Sequence, residues 1–257
     1  MEMFFGIGSG MVLIFALALG VFAGLVKGVV GFSMPTILLS GLGSVASAEV
    51  ALAGLILPTL ATNGWQALRQ GFAAMRESAG KHLAFLAAMP VTLIAASQLV
   101  PLVPGPLLLL AMGVLVAVFS ALQMLGVRLY PPGWTPGSRA RAGIGAVAGV
   151  MGGVSGIWGP PTVAMLTALN TEKTEQVRVQ GVIYAIGAMA LVAGHLGSGV
   201  LRAQTLPLSA VLVPAGLAGM WLGFRIQDRI DQRVFRRVTL IVLLIGGLNL
   251  IRRGLMG

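Results

Sequence analysis

Cysteine is absent from this chain, which excludes disulfides, thiolate metal sites and cysteine nucleophiles while leaving the compartment open. Histidine is nearly absent too. His82 and His195 are the only two, and without carboxylates beside them they cannot assemble a metal centre. Charge is the largest shortage: 9% of the 257 residues are charged and seven are acidic, where a soluble domain carries about a quarter. Acid–base catalysis needs matched titratable groups, and the long apolar stretches offer essentially Lys27 alone. No motif asks for a cofactor. The opening MEMFFGIGSG has no basic segment before its apolar run, so the first apolar stretch is expected to stay in the mature protein.

What the chain has is apolar length. Hydrophobic residues make up 57% of it and the mean hydropathy is +0.95. No water-soluble fold of this size hides that much apolar surface, so the chain reads as an all-α polytopic membrane protein. Its net charge of +10 comes from basic residues in short loops between apolar spans. That pattern belongs to loops facing anionic lipid heads, and no soluble basic domain is present to bind nucleic acid. Membrane lipid is therefore the expected partner surface, and the oligomeric state is left open.

Spanning helices of about twenty residues are expected over 50–68, 82–103, 106–127, 177–198, 205–224 and 235–251. Two further apolar regions, 6–46 and 142–169, are interrupted by glycines and then proline: GLVKGVVGFSMP in the first, GVMGGVSGIWGPP in the second. Glycine weakens a helix and proline removes a backbone donor, so both regions should be discontinuous. In lipid, broken backbone is tolerated only inside protein or beside a wet cavity.

The two breaks are related to each other. Shifting the chain by 125 positions pairs Gly20, Ala23, Gly24, Gly28, Val29, Gly31 and Pro35 with Gly145, Ala148, Gly149, Gly153, Val154, Gly156 and Pro160, seven identities in sixteen positions. This reads as an internal duplication: a first repeat over 1–127, a cytoplasmic linker at 128–141 (RLYPPGWTPGSRAR), and a second repeat over 142–257. Loop charges then set the topology. If both broken segments are re-entrant, the loops at 69–81, 128–141, 172–178 and 225–237 share one side and hold thirteen basic residues. Only Arg202, Arg252 and Arg253 remain opposite, as the positive-inside rule requires. Each repeat is then a Gly/Pro-broken re-entrant segment plus three transmembrane helices, and the odd number of crossings inverts the second repeat.

Inverted repeats with broken helices meeting near the midplane are a secondary-transporter plan, and half-helix N-termini bind anions through free N–H groups. Lys27 supplies the one formal charge. It is either the cation that meets an anionic substrate, or a snorkelling lysine or structural partner of a helix C-terminus, with Glu49 as a competing ion-pair partner. Burial of an unpaired ammonium in lipid favours an anionic ligand. Gly31 and Gly156 are the candidate backbone ligands. Ser33 and Ser155 either donate to an oxyanion or cap freed backbone, and Phe32 and Trp158 flank them. Asn63 with Thr59 and Thr62, and Gln180 with Tyr184, follow the breaks directly and are placed to line a cavity or to join helices. Gly20, Gly24 and Gly28, with Gly145, Gly149 and Gly153, read as close-packing ridges. A serine elbow starting at Gly153 fails because Ile157 stands where glycine is needed. His82 and His195 read as interfacial. The segment RIQDRIDQRVFRR at 225–237 reads as a basic amphipathic stretch in which Asp228 and Asp231 pair with basic residues a turn away.

The paired GLVKGVVGFSMP and GGVSGIWGPP motifs, in a duplicated chain of eight segments, resemble the TauE/SafE-type sulfite/sulfonate exporter family over essentially the whole length. The resemblance implies export of sulfite or an organosulfonate across the bacterial inner membrane by a multi-pass protein. The expected function is a secondary transporter for a small anion, with alternating access from one repeat rocking against the other. An anion channel or uniporter is the alternative, and an integral-membrane enzyme a remoter one.

Overall fold

A chain this poor in polar residues has to satisfy its backbone within itself, and the helix does so segment by segment. The computed structural model describes residues 10–42, 45–46, 48–99, 105–127, 135–155, 158–197 and 205–256. Within them run eleven helices: α1 (Gly10–Val30), α2 (Met34–Leu42), α3 (Ala48–Leu68), α4 (Phe72–Lys81), α5 (Leu83–Leu99), α6 (Gly105–Met124), α7 (Ser138–Ser155), α8 (Gly159–Ala168), α9 (Lys173–Gly197), α10 (Leu206–Arg229) and α11 (Gln232–Met256). Among the described residues α1, α10 and α11 are each long and apolar enough to cross a membrane, and α4 with α5, bent by 77°, forms a fourth candidate. The protein is a membrane-spanning helical bundle.

Two expectations need correcting. The first broken segment is not irregular through its glycines: α1 runs unbroken past Gly20, Gly24 and Gly28 to Val30, so Lys27 is helical and the break is confined to 31–33. Close helix contact with α10 (Leu206–Arg229) stabilises those glycines where propensity alone would not. Second, the 69–81 loop contains a helix. Gly71, at φ 88°, turns the chain, and the good helix formers of FAAMRESAGK then form α4, with a Glu77–Lys81 pair of 2.8 Å at i,i+4.

Glycine sets the tightest packing. Gly20 faces Leu212 and Ala215, Gly24 faces Gly216 and Met220, and Gly28 faces Met220 and Gly223. The numbers rise together, so α1 and α10 lie parallel. A Cβ at Gly28 would stand 2.8 Å from the Gly223 Cα, inside contact distance. Likewise Gly145 faces Phe85, and Gly149 faces Met89 and Leu93, which sets α7 parallel to α5. The other extensive contacts are α6 with α11 and α3 with α9.

The charged loops gather on one face. Lys81 Nζ contacts Glu175 at 3.0 Å, Arg178 donates to Ser78 at 2.7 Å, and Arg141 donates to the Lys81 carbonyl. Arg69 donates to Asp228 at 2.6–2.7 Å and to Gln227 at 2.6 Å, while Arg236 reaches Asn170 and Gln123, both at 2.6 Å. Asp228 thus pairs across helices rather than along its own, and Asp231 caps α11 by accepting from the Val234 N–H at 2.8 Å. The hairpin α7–α8 begins and ends at this face, at Arg141 and Asn170. The hairpin α1–α2 ends elsewhere: Leu38 and Leu42 pack with Ala16 of α1 and with Leu208 and Leu212 in the early turns of α10, away from Arg229.

Candidate functional site

The break after α1 is made by two residues of positive φ, Gly31 at 87° and Ser33 at 75°. The second is strained for a residue with a Cβ, and such strain persists only where the surroundings hold it. They do so through two buried glutamines. Gln66 Nε2 donates to the Gly31 carbonyl at 3.0 Å and to the Val177 carbonyl at 2.6 Å. The Gln180 amide, turned as its neighbours require, donates to the Val30 and Gly31 carbonyls at 3.1 and 3.0 Å. The carbonyls that the end of α1 leaves open are thereby satisfied inside the bundle. On the other side, Trp158 stands at the N-terminal boundary of α8 without a side-chain capping bond, and the first turn carries Pro160 and Pro161, where a helix has no use for an N–H.

Between the breaks lies a cavity of about 70 Å³. One water needs roughly 10–15 Å³ of such space, so several waters or a small polyatomic ion fit. The first turns of both short helices line it: Ser33, Pro35 and Thr36 from α2 and its approach, and Trp158, Gly159 and Pro160 from α8. Phe32, Lys27, Thr59, Asn63 and Tyr184 complete the polar and aromatic wall, while Val116 and the α11 residues Val242, Leu243, Gly246, Gly247 and Leu250 form the apolar one.

Among the described residues Lys27 is one of the largest fully buried side chains, with 1% of its surface exposed. Its ammonium donates to Asn63 Oδ1. Asn63 Nδ2 donates in turn to the Tyr184 carbonyl at 3.0 Å, which fixes the amide with its oxygen toward the lysine. An ammonium has three donors, and among the described residues no carboxylate pairs with this one. Glu49's side chain lies outside the described residues. Its position on α3 is fourteen residues before Asn63, about 21 Å along a helix.

Six of the ten residues expected from sequence, Lys27, Phe32, Ser33, Asn63, Trp158 and Tyr184, line this one cavity. Gly31 and Gln180 stand beside it, engaged in satisfying the break. The Ser155 side chain and Gly156 lie outside the described residues. The cavity also contains residues that sequence reasoning passed over. Thr36, Pro35 and Pro160 sit inside or beside the quoted motifs and were signalled by them. Val116, Val242, Leu243 and Leu250 look like any lipid-facing residue, and the Gly246–Gly247 pair is the one cue that α11 approaches something closely. Among the described residues no three of His, Cys, Asp or Glu come together as a metal site.

The sequence model of the sulfite exporter TauE/SafE family matches residues 16–250, nearly the whole chain. This chain belongs to the TauE/SafE family. Membership makes it a polytopic membrane protein of anion transport, not an enzyme. No curated protein and no solved structure matches it. In this TauE/SafE protein, then, the buried lysine and the starts of α2 and α8 border one cavity.

Proposed function

We propose that this protein is a secondary carrier that exports a small anion, sulfite or an organosulfonate, across the bacterial inner membrane by alternating access around its two helix breaks. The observation that carries the reading is Lys27, a buried ammonium held by one neutral amide at the edge of a cavity that both broken helices open into. A charge at mid-membrane costs about 2.5–3.5 kcal/mol on an insertion scale, and an anionic ligand offsets that cost during the part of the cycle in which it is bound.

The duplication supports the carrier plan. Adding 125 to the bounds of α2, Met34–Leu42, gives 159–167, and α8 is Gly159–Ala168; adding 125 to α3, Ala48–Leu68, starts at 173, where α9 begins. The same shift relates Pro35 to Pro160 and Thr59 to Tyr184, all four in the cavity wall. The polar face, with its basic loops, is the cytoplasmic side of this reading, and the hairpins α1–α2 and α7–α8 enter from opposite sides as inverted repeats. The negative cytoplasm drives an anion outward by about 2.3 kcal/mol per charge at 100 mV, so no coupling proton is required.

Purified protein in proteoliposomes tests the reading with sulfite and ethanesulfonate as probes. Wild type is expected to give saturable flux, and Lys27→Gln to lower it at least about tenfold, the loss of one charged contact. Unchanged flux in Lys27→Gln removes the lysine from the site, and conductance without saturation replaces the carrier with a channel.

A further inference from the structure

Helix α3 presents Thr59 and Asn63 one turn apart on a single face, and both line the cavity. Asn63 is engaged at both ends, by Lys27 and by the Tyr184 carbonyl. Thr59 is not. It is 1% exposed, and its hydroxyl oxygen is buried without a hydrogen-bond partner. Helical Ser and Thr ordinarily bond back to a carbonyl one turn earlier. Thr62 does so to Pro58 at 2.6 Å, Thr92 to Ala88 at 3.0 Å and Ser120 to Val116 at 2.7 Å. A buried hydroxyl left unpaired is unfavourable, so Thr59 is a donor awaiting an acceptor.

The second half of the chain has less to offer. The Tyr184 hydroxyl already contacts the Gly159 carbonyl at 3.2 Å, and two prolines strip N–H groups from the first turn of α8. Free donor capacity in the cavity therefore lies on the side of the first half, at Lys27 and Thr59, with the Ser33 and Thr36 hydroxyls beside them.

We propose that Thr59 is an anion ligand: its hydroxyl donates to an oxygen of the oxyanion that Lys27 holds, and so selects polyatomic oxyanions over halides. Two donors on separate helices suit a ligand with two acceptor oxygens, whereas a halide is a single centre. The assignment rests on the carrier reading above and deepens it.

Thr59→Val keeps the shape and removes the hydroxyl; Thr59→Ser keeps the hydroxyl. Thermal-shift titrations with sulfite, ethanesulfonate and chloride, paired with flux, read out both variants. Thr59→Val is expected to weaken sulfite and ethanesulfonate roughly ten- to a hundredfold, the range of a hydrogen bond to a charged group, with chloride unaffected. The anion-free melting temperature should stay the same or rise, because an unpaired buried hydroxyl has gone. Thr59→Ser should restore oxyanion affinity. Oxyanion affinity in Thr59→Val equal to wild type overturns the assignment, as does a lower anion-free melting temperature with a loss that serine does not restore. A wild type that neither oxyanion stabilises, and that moves neither, overturns the carrier reading along with this one.

Discussion

His82 stands where α4 turns into α5, buried, with Nδ1 lacking a hydrogen-bond partner. Desolvation, reinforced by the Arg141 guanidinium and Lys81 and opposed by Glu175, pushes its imidazole down from 6.5 to about 4. With the folded-state value depressed, the unfolded chain takes up the proton first. The stabilisation from neutral His82 is therefore whole above pH 6.5 and drains away as the pH falls toward 4. The melting temperature in detergent should decline across that window, and His82→Gln should flatten the decline. Equal slopes in the two proteins would place the titration elsewhere. The charged-to-apolar switch at Lys81–Leu83 located His82 at an interface, but gave no sign that Arg141, fifty-nine positions onward, would bond the neighbouring Lys81 carbonyl. Lys27 and Asn63 were legible for a simpler reason: a lone charge and an amide in an apolar run each demand a partner. Nothing local marked Thr59 as a threonine that fails to bond back, as Thr239 in α11 also does.

At the scale of elements, the glycine ridges decide which helices touch. A Cβ at Gly24 would stand 3.0 Å from both the Gly216 carbonyl carbon and the Met220 nitrogen, main-chain atoms with no side chain to move aside. Gly24→Ala should therefore lower stability by about 1–3 kcal/mol, the cost of overpacking. Gly64, in α3, has open space around it, and Gly64→Ala should leave stability unchanged or raise it by up to about 1 kcal/mol. Thermal unfolding of the two variants side by side checks both, and equal effects would mean that the α1–α10 contact is looser than described. That these glycines pack was readable from their spacing, and that the chain breaks nearby was readable from the prolines. Where α1 stops was not, because its continuity through three glycines depends on a partner nearly two hundred residues away. The 69–81 segment was hidden by its charge: a short polar helix at an interface has no apolar run to announce it.

At the scale of the whole molecule, the gathering of the 69–81, 141, 170–178 and 225–236 regions on one face follows the loop-charge count, since every such region carries basic residues that find acceptors on its neighbours. The parallel pairs α1–α10 and α5–α7 were out of reach of the sequence, because nothing in the composition says which ridge meets which. Their consequence is mechanical. Backbone lies against backbone where Gly24 and Gly28 meet α10, and the Leu212 and Ala215 side chains seat against Gly20, so the two helices are locked in register and should travel as one plank; α5–α7, with main chain against Gly145 and Gly149, is built alike. Each plank takes one helix from residues before 128 and one from residues after 137. The chain is laced, and the bodies that move past each other are the planks rather than its N- and C-terminal portions. The absence of native cysteine lets this be tested directly. A Cβ at Gly20 would lie 3.1 Å from the Ala215 Cβ, near the roughly 3.5–4.5 Å of a disulfide. Oxidising the Gly20→Cys/Ala215→Cys double variant should leave flux intact, whereas arrest on oxidation, reversed by reduction, would show that α1 and α10 separate during transport. Lacing of this kind also means that neither portion of the chain can complete its packing alone, so α1 waits in the membrane for α10.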